Sequence, residues 1–161
     1  MAELMLNLMR NRKSFGMFVI LGWQPKWQHY ADTPDASQDI FSRRRVNIMN
    51  VVPKQQKKGA IVSTVMFDGA ILVDTCGNVL HSGVMIEGLR PRATAFKLNP
   101  QRKTDLSSQF GFRKKVHMRH IAAITSSYLF HGTTVFTISE ETDAFHVFEK
   151  GRILYSTVHG E

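Results

Sequence analysis

Between residues 59 and 157, short runs rich in valine, isoleucine and threonine recur and bracket a single stretch of helical composition. This alternation limits the fold more than any other feature. Ala60–Met66, Ala70–Asp74 and Val79–Ile86 read as strands, the last two joined by turn chemistry at Gly77-Asn78. Arg113–Leu129, with His-Ile-Ala-Ala-Ile inside it and Gly132 just past its end, reads as a helix. Thr133–Ser139 is a β-branched run, and Ala144–Phe148, the turn Glu149-Lys150-Gly151-Arg152 and Ile153–Thr157 form a terminal hairpin. Strands bracketing a helix predict an α/β fold, a mixed central β-sheet flanked by helices, rather than a sandwich or a bundle.

The remaining segments are less regular. Leu4, Met5, Leu8 and Met9 recur at helical spacing and predict a short amphipathic helix within residues 1–13. Gln24–Ser37, broken by Pro25 and Pro34, reads as an irregular connection. A second helix is expected over Gln38–Asn50, stopping before Pro53, with a lysine-rich turn at Lys54–Gly59. Residues 87–111, with Gly88, Pro91 and Pro100 among charges, read as a long loop. At 161 residues the chain suits one domain. It divides into residues 1–58, a helical flank or appendage, and residues 59–161, the core.

Several classes are disfavoured. The longest apolar stretch, Met17–Trp23, is interrupted by Gly22 and is too short to span a bilayer, so no membrane segment is expected in this chain. Glu3 precedes any basic residue and no clean small-residue cleavage site follows, which argues against a secretory signal. The single Cys76 cannot close an internal disulfide, and a cytoplasmic setting is expected. The net charge is +8, and Arg90, Arg92, Lys97, Arg102, Lys103, Arg113, Lys114, Lys115 and Arg119 are opposed in their stretch only by Asp105. Such a stretch concentrates anions. Charge alone does not separate a polyphosphate ligand from nucleic acid or from a solvated loop, but no nucleic-acid readout motif is present.

Three short segments carry chemistry. Asp68-Gly69-Ala70 places a carboxylate beside bare backbone between two apolar runs. It suits a divalent metal or a proton acceptor, and equally an aspartate capping its own turn. Arg119-His120 can both donate to phosphate oxygens, or be a surface arginine beside a tucked-in histidine. Ser139-Glu140-Glu141-Thr142 follows a strand, where hydroxyls and carboxylates face ligand crevices in α/β proteins, although a polar turn has the same composition.

In this order the three segments resemble the diadenylate cyclase (DAC) domain family of cyclic di-AMP synthases. "FDGAILVDTCGNVLHSG" looks like that family's aspartate motif and hairpin, and "RHIAAITSSYLFHGTTVFTISEETDAFHVFEKGRI" like its helix, strand and final hairpin. The resemblance spans roughly residues 59–157. It implies that Asp68 and Glu140 hold a divalent metal, Mn²⁺ or Mg²⁺, with Asp68 also helping to activate a ribose 3′-hydroxyl. Arg119 and His120 would join Asp68 as catalytic groups by binding phosphate. Gly69, Ala70, Ile86, Ser139, Glu140 and Thr142 would contact ATP, with Ile86 as an adenine wall. Two ATP would become cyclic di-AMP and two pyrophosphates when subunits meet face to face, so a homodimer or higher homo-oligomer is implied.

Three positions depart from the family's pattern. Phe67 stands where a histidine is common, Met118 where a threonine precedes Arg-His, and Ile121 where a second arginine follows. These departures leave open a cyclase-like domain that senses ATP or a cyclic dinucleotide without turnover. A basic nucleic-acid-binding module is the further alternative.

Overall fold

The apolar stretch Met17–Trp23 forms a strand, β1, in the middle of a mixed sheet with eight strands among the described residues. In this computed structural model, residues 1–11, 15–50, 68–101, 105–110, 112 and 118–158 are described. The other strands are β2 (Ala31–Asp32), β3 (Val46–Asn47), β4 (Ala70–Asp74), β5 (Asn78–Ile86), β6 (Thr134–Ile138), β7 (Phe145–Glu149) and β8 (Arg152–Ser156). Their order is β2-β5-β4-β1-β6-β7-β8, with β3 also paired to β5. Among the described strands only β1 and β4 run parallel, with Val19 opposite Ile71; β1 meets β6 antiparallel, with Met17 opposite Ile138. The fold is the α/β arrangement of a mixed sheet with helices that the sequence predicts.

Both faces of the sheet are covered, which is why β1 reads as a continuous apolar run instead of an alternation. Met17, Val19, Ile71, Val73, Phe136 and Ile138 point to one side and pack with Met5 of helix α1 (Ala2–Asn11). Phe18, Ile20, Leu72, Val135 and Phe148 point to the other, against Ala123 and Ile124 of helix α4 (Met118–Leu129). The latter is the C-terminal part of the helix expected over residues 113–129.

Four sequence expectations are corrected. Residues 1–58 are not simply a flank: β1 joins β4 to β6, and without it the sheet would be two pieces. Gln38–Asn50 is not a helix but a set of turns, β3, and a 3₁₀ turn at Ile48–Asn50. The buried Asp39 side chain accepts from the Phe41 amide at 3.1 Å, a local bond that competes with helical pairing. Residues 87–111 hold two helices, α2 (Pro91–Leu98) and α3 (Leu106–Gln109). Pro91 starts α2, where its missing N–H is not needed, instead of breaking it. Asp105 caps α3 by accepting from the amides of Ser107 and Ser108. Likewise the supposedly irregular Gln24–Ser37 carries a 3₁₀ helix, Pro25–Tyr30, and β2. The strand expected over Ala60–Met66 and the turn over Lys54–Gly59 lie outside the described residues.

The β4–β5 turn is tied by Asp74. Its Oδ1 accepts from the amides of Cys76 and Asn78, both at 2.8 Å, and its Oδ2 accepts from Asn78 Nδ2 at 2.9 Å. Burial pushes the carboxyl pKa up, but the Asn78 side chain and the turn amides outweigh this and hold it below the ordinary 3.8. A lowered folded-state pKa means the carboxylate stabilises above the unfolded value and loses that contribution as pH falls through the folded value. Asp74→Asn is therefore expected to be less stable than wild type at pH 6, with the gap closing as pH falls below the ordinary 3.8 and through the lowered folded value. Urea titrations across that range check it, and a gap independent of pH would refute it.

Candidate functional site

The Asp68 and Arg119 segments meet where the start of β4, the end of β5 and the described start of α4 come together, and the Ser139 segment, after β6, adjoins Arg119 in a second cleft. A cleft of 470 Å³ is lined by Phe18, Asp68, Gly69, Ile86, Leu89, Pro91, Met118, Arg119, Ile121 and Ala122. Apart from Asp68 and Arg119 its side chains are apolar. A second cleft of 320 Å³ is lined by Met118, Arg119, His120, Ser139, Glu140 and Glu141. Met118 and Arg119 belong to both, so the two clefts adjoin along one turn of α4. The first is large enough to take a purine base with its sugar. The second offers carboxylates and a hydroxyl.

Arg119 is the only lysine or arginine among the described residues lining either cleft. It is part-buried, and its Nη1 donates to the Ile138 carbonyl at 3.5 Å. That brace is at the limit of a hydrogen bond and leaves the guanidinium with donors to offer a ligand. Asp68 is exposed just ahead of β4, across the first cleft.

Gly69 lies against the cleft for a reason other than ligand approach. Its φ is +123°, and a Cβ there would stand 2.5 Å from the Gly83 carbonyl carbon of the neighbouring strand. Glycine is needed because two backbones touch, and its bare surface on the cleft is a by-product. Ala70 does not reach the cleft at all: it is fully buried at the start of β4, opposite Val84. Ile86, half-buried at the end of β5, does form a wall, beside Leu89.

His120 also departs from expectation. Its ring is buried, with Nε2 3.2 Å from His146 Nδ1, one donating and the other accepting, and with Phe112 and Phe148 at its edges. That packing makes it a core histidine beside the second cleft, the bland reading of the sequence, and not an outstretched phosphate donor. Ser139 is buried, and its Oγ accepts from the Thr142 amide at 3.4 Å, closing the 139–142 turn. Glu140 is exposed in the second cleft, whereas Thr142 lines neither cleft.

Sequence reasoning missed Phe18, Leu89, Pro91 and Ala122 as walls, and Glu141 as a second carboxylate. Glu141 stood inside a quoted motif; Phe18 carried no signal beyond lying in an apolar run. Met118 and Ile121 were noticed as departures, and both turn out to line the first cleft.

No group of three or more His, Cys, Asp or Glu residues that could hold a metal occurs among the described residues. Asp68 and Glu140 lie on different clefts with Arg119 common to both. A self-sufficient protein cage for a cation does not fit this arrangement. A hard divalent ion carried mainly by ligand phosphates, with one or two carboxylates, does.

Neither the family models nor the curated proteins give a match to this chain. Solved structures do. A hypothetical membrane spanning protein from Bacillus cereus is similar at a TM-score of 0.58 and 15% identity, over 96% of this chain and 60% of that one. A double mutant of DacA from Staphylococcus aureus is similar at a TM-score of 0.55 and 12% identity, over 99% of this chain and 84% of that one. This chain thus spans about three fifths of the first structure's length. At these identities the likeness shows a common fold alone, which this chain shares with both structures. No helix among the described residues is long and apolar enough to cross a membrane.

Proposed function

We propose that this chain binds ATP and joins two molecules of it into cyclic di-AMP. The observation that carries this reading is the position of Arg119, which stands in the wall of an apolar cleft and of a carboxylate-bearing one. An adenosine seated against Ile86, Leu89 and Phe18 would direct its phosphates past the guanidinium. The order of the Asp-Gly, Arg-His and Ser-Glu-Glu segments and the DacA-like fold support the same reading.

In the reaction, a ribose 3′-oxygen of one ATP attacks the α-phosphorus of the other. The P–O bond to pyrophosphate breaks, and the hydroxyl proton passes to a base. Asp68, exposed at the cleft, is the group placed to take that proton or orient the hydroxyl. Arg119 offsets the charge growing on the α-phosphate. A bound Mn²⁺ or Mg²⁺, held by Asp68 and Glu140 with the phosphates, would supply further charge neutralisation. The step repeats with the roles exchanged, so two subunits must meet and their alignment supplies the entropic advantage.

A second reading has its own support. Met118 and Ile121 make the cleft wall apolar where the family carries polar groups, leaving Arg119 as the one described basic side chain. That composition favours a domain that senses ATP or a cyclic dinucleotide without turnover. Incubation with ATP and Mn²⁺ or Mg²⁺, followed by mass spectrometry, separates the two. Cyclic di-AMP that forms, rises in specific yield with protein concentration and vanishes in Asp68→Asn is the expected result. ATP binding without product under either metal selects the sensor. Failure to bind nucleotide, with RNA or DNA bound on a steep salt slope, overturns both.

A further inference from the structure

Gly16 precedes β1 and belongs to none of the motifs, yet it touches the cleft's one described basic group. A Cβ built on Gly16 would stand 2.5 Å from Arg119 Nη2, 2.6 Å from Nη1 and 2.7 Å from Cζ. All three distances lie well inside van der Waals contact. The guanidinium therefore occupies the space that any side chain at this position would take.

The glycine is not demanded by its own backbone. Gly22, Gly69, Gly77, Gly83, Gly88, Gly132 and Gly151 have positive φ, but Gly16 does not. The three nearest atoms a methyl group would meet all belong to the far end of the flexible Arg119 side chain and none to backbone. The neighbouring contact agrees. Arg119 also donates to the Ile138 carbonyl, and Ile138 is paired with Met17, the residue after Gly16. The guanidinium is thus seated over the paired ends of β1 and β6, with Ser139 and Glu140 directly beyond.

We infer that Gly16 is a positioning residue: its missing side chain is the seat that holds the Arg119 guanidinium between the two clefts. This inference rests on the reading that Arg119 binds nucleotide phosphate. A methyl group at Gly16 would push the guanidinium off the strand ends without straining the backbone. The displaced side chain is flexible, so the fold should hold while the phosphate contact is lost.

The test is ATP binding by calorimetry on Gly16→Ala, Arg119→Ala and the double variant, each with a melting curve. Gly16→Ala is expected to melt like wild type and to bind ATP about tenfold more weakly, the loss of one charge-assisted contact. In the Arg119→Ala background it should change affinity by less than twofold. The Arg119 Nε–H resonance should also move in Gly16→Ala, independently of any ligand. Wild-type affinity in Gly16→Ala with weakened binding in Arg119→Ala overturns the inference alone. Equal losses in both backgrounds, an unmoved resonance or failure of Gly16→Ala to fold overturn it as well. Wild-type affinity in Arg119→Ala would instead remove the phosphate reading beneath it.

Discussion

Arg119→Ala is expected to weaken ATP binding by about a hundredfold, with little change in melting temperature. A hydrogen bond to a charged group contributes about 1.5–3 kcal/mol, and an arginine can give a phosphate two of them at once. Among the described residues no other lysine or arginine lines either cleft to take its place. The loss is compounded by Glu140 and Glu141, whose carboxylates would face the triphosphate without a cation between them. Arg119→Lys should recover part of the affinity, since the charge returns without the planar fork. The fold should tolerate the change because the bond from Arg119 to the Ile138 carbonyl is long. Calorimetry at fixed ionic strength, with and without Mg²⁺, measures it. Binding within twofold of wild type would mean that the basic character of this chain acts elsewhere.

The sheet was legible where strand composition met clear turn chemistry. β4, β5 and the terminal hairpin fall within a residue or two of where valine, isoleucine and Gly77-Asn78 or Gly151 place them. β1 was visible only as an apolar run, because a strand covered on both faces loses the alternation that identifies it. α2 was hidden by reading Pro91 as a breaker when it is an initiator. The site shows the same division. Residue order brought Asp68, Arg119 and Glu140 to adjoining clefts, but spacing could not tell which way a side chain turns. His120 turned into the core and Ala70 under the sheet, while Thr142 stayed at the surface. Gly16 left no mark in the sequence, since its function is to be small beside a residue more than a hundred positions away.

Asp39→Ala is expected to destabilise the fold by at least about 3 kcal/mol, because three buried donors lose the acceptor they share. Asp39 is 1% exposed and fully engaged. Its Oδ1 accepts from the amides of Phe41 and Ser82, both at 3.1 Å, and from the Ser82 hydroxyl at 3.2 Å. Its Oδ2 lies 2.8 Å from His81 Nδ1, which carries the proton because the carboxylate can only accept. Truncation leaves two buried amides and a buried hydroxyl without this acceptor, each of which costs about 1–3 kcal/mol. Asp39→Asn should lose less, since one side-chain oxygen remains to accept. The consequence reaches the cleft, because the network fastens the turns around Asp39 to β5. That strand carries Gly83, against which Gly69 packs, and ends in Ile86 at the cleft wall. Nucleotide affinity in Asp39→Asn should therefore fall along with stability, although Asp39 lines neither cleft. Urea unfolding measures the first effect and calorimetry below the transition the second. A loss under 1 kcal/mol in Asp39→Ala would show that the turns hold without the carboxylate, and the wall formed by β5 would then owe its position to the sheet alone.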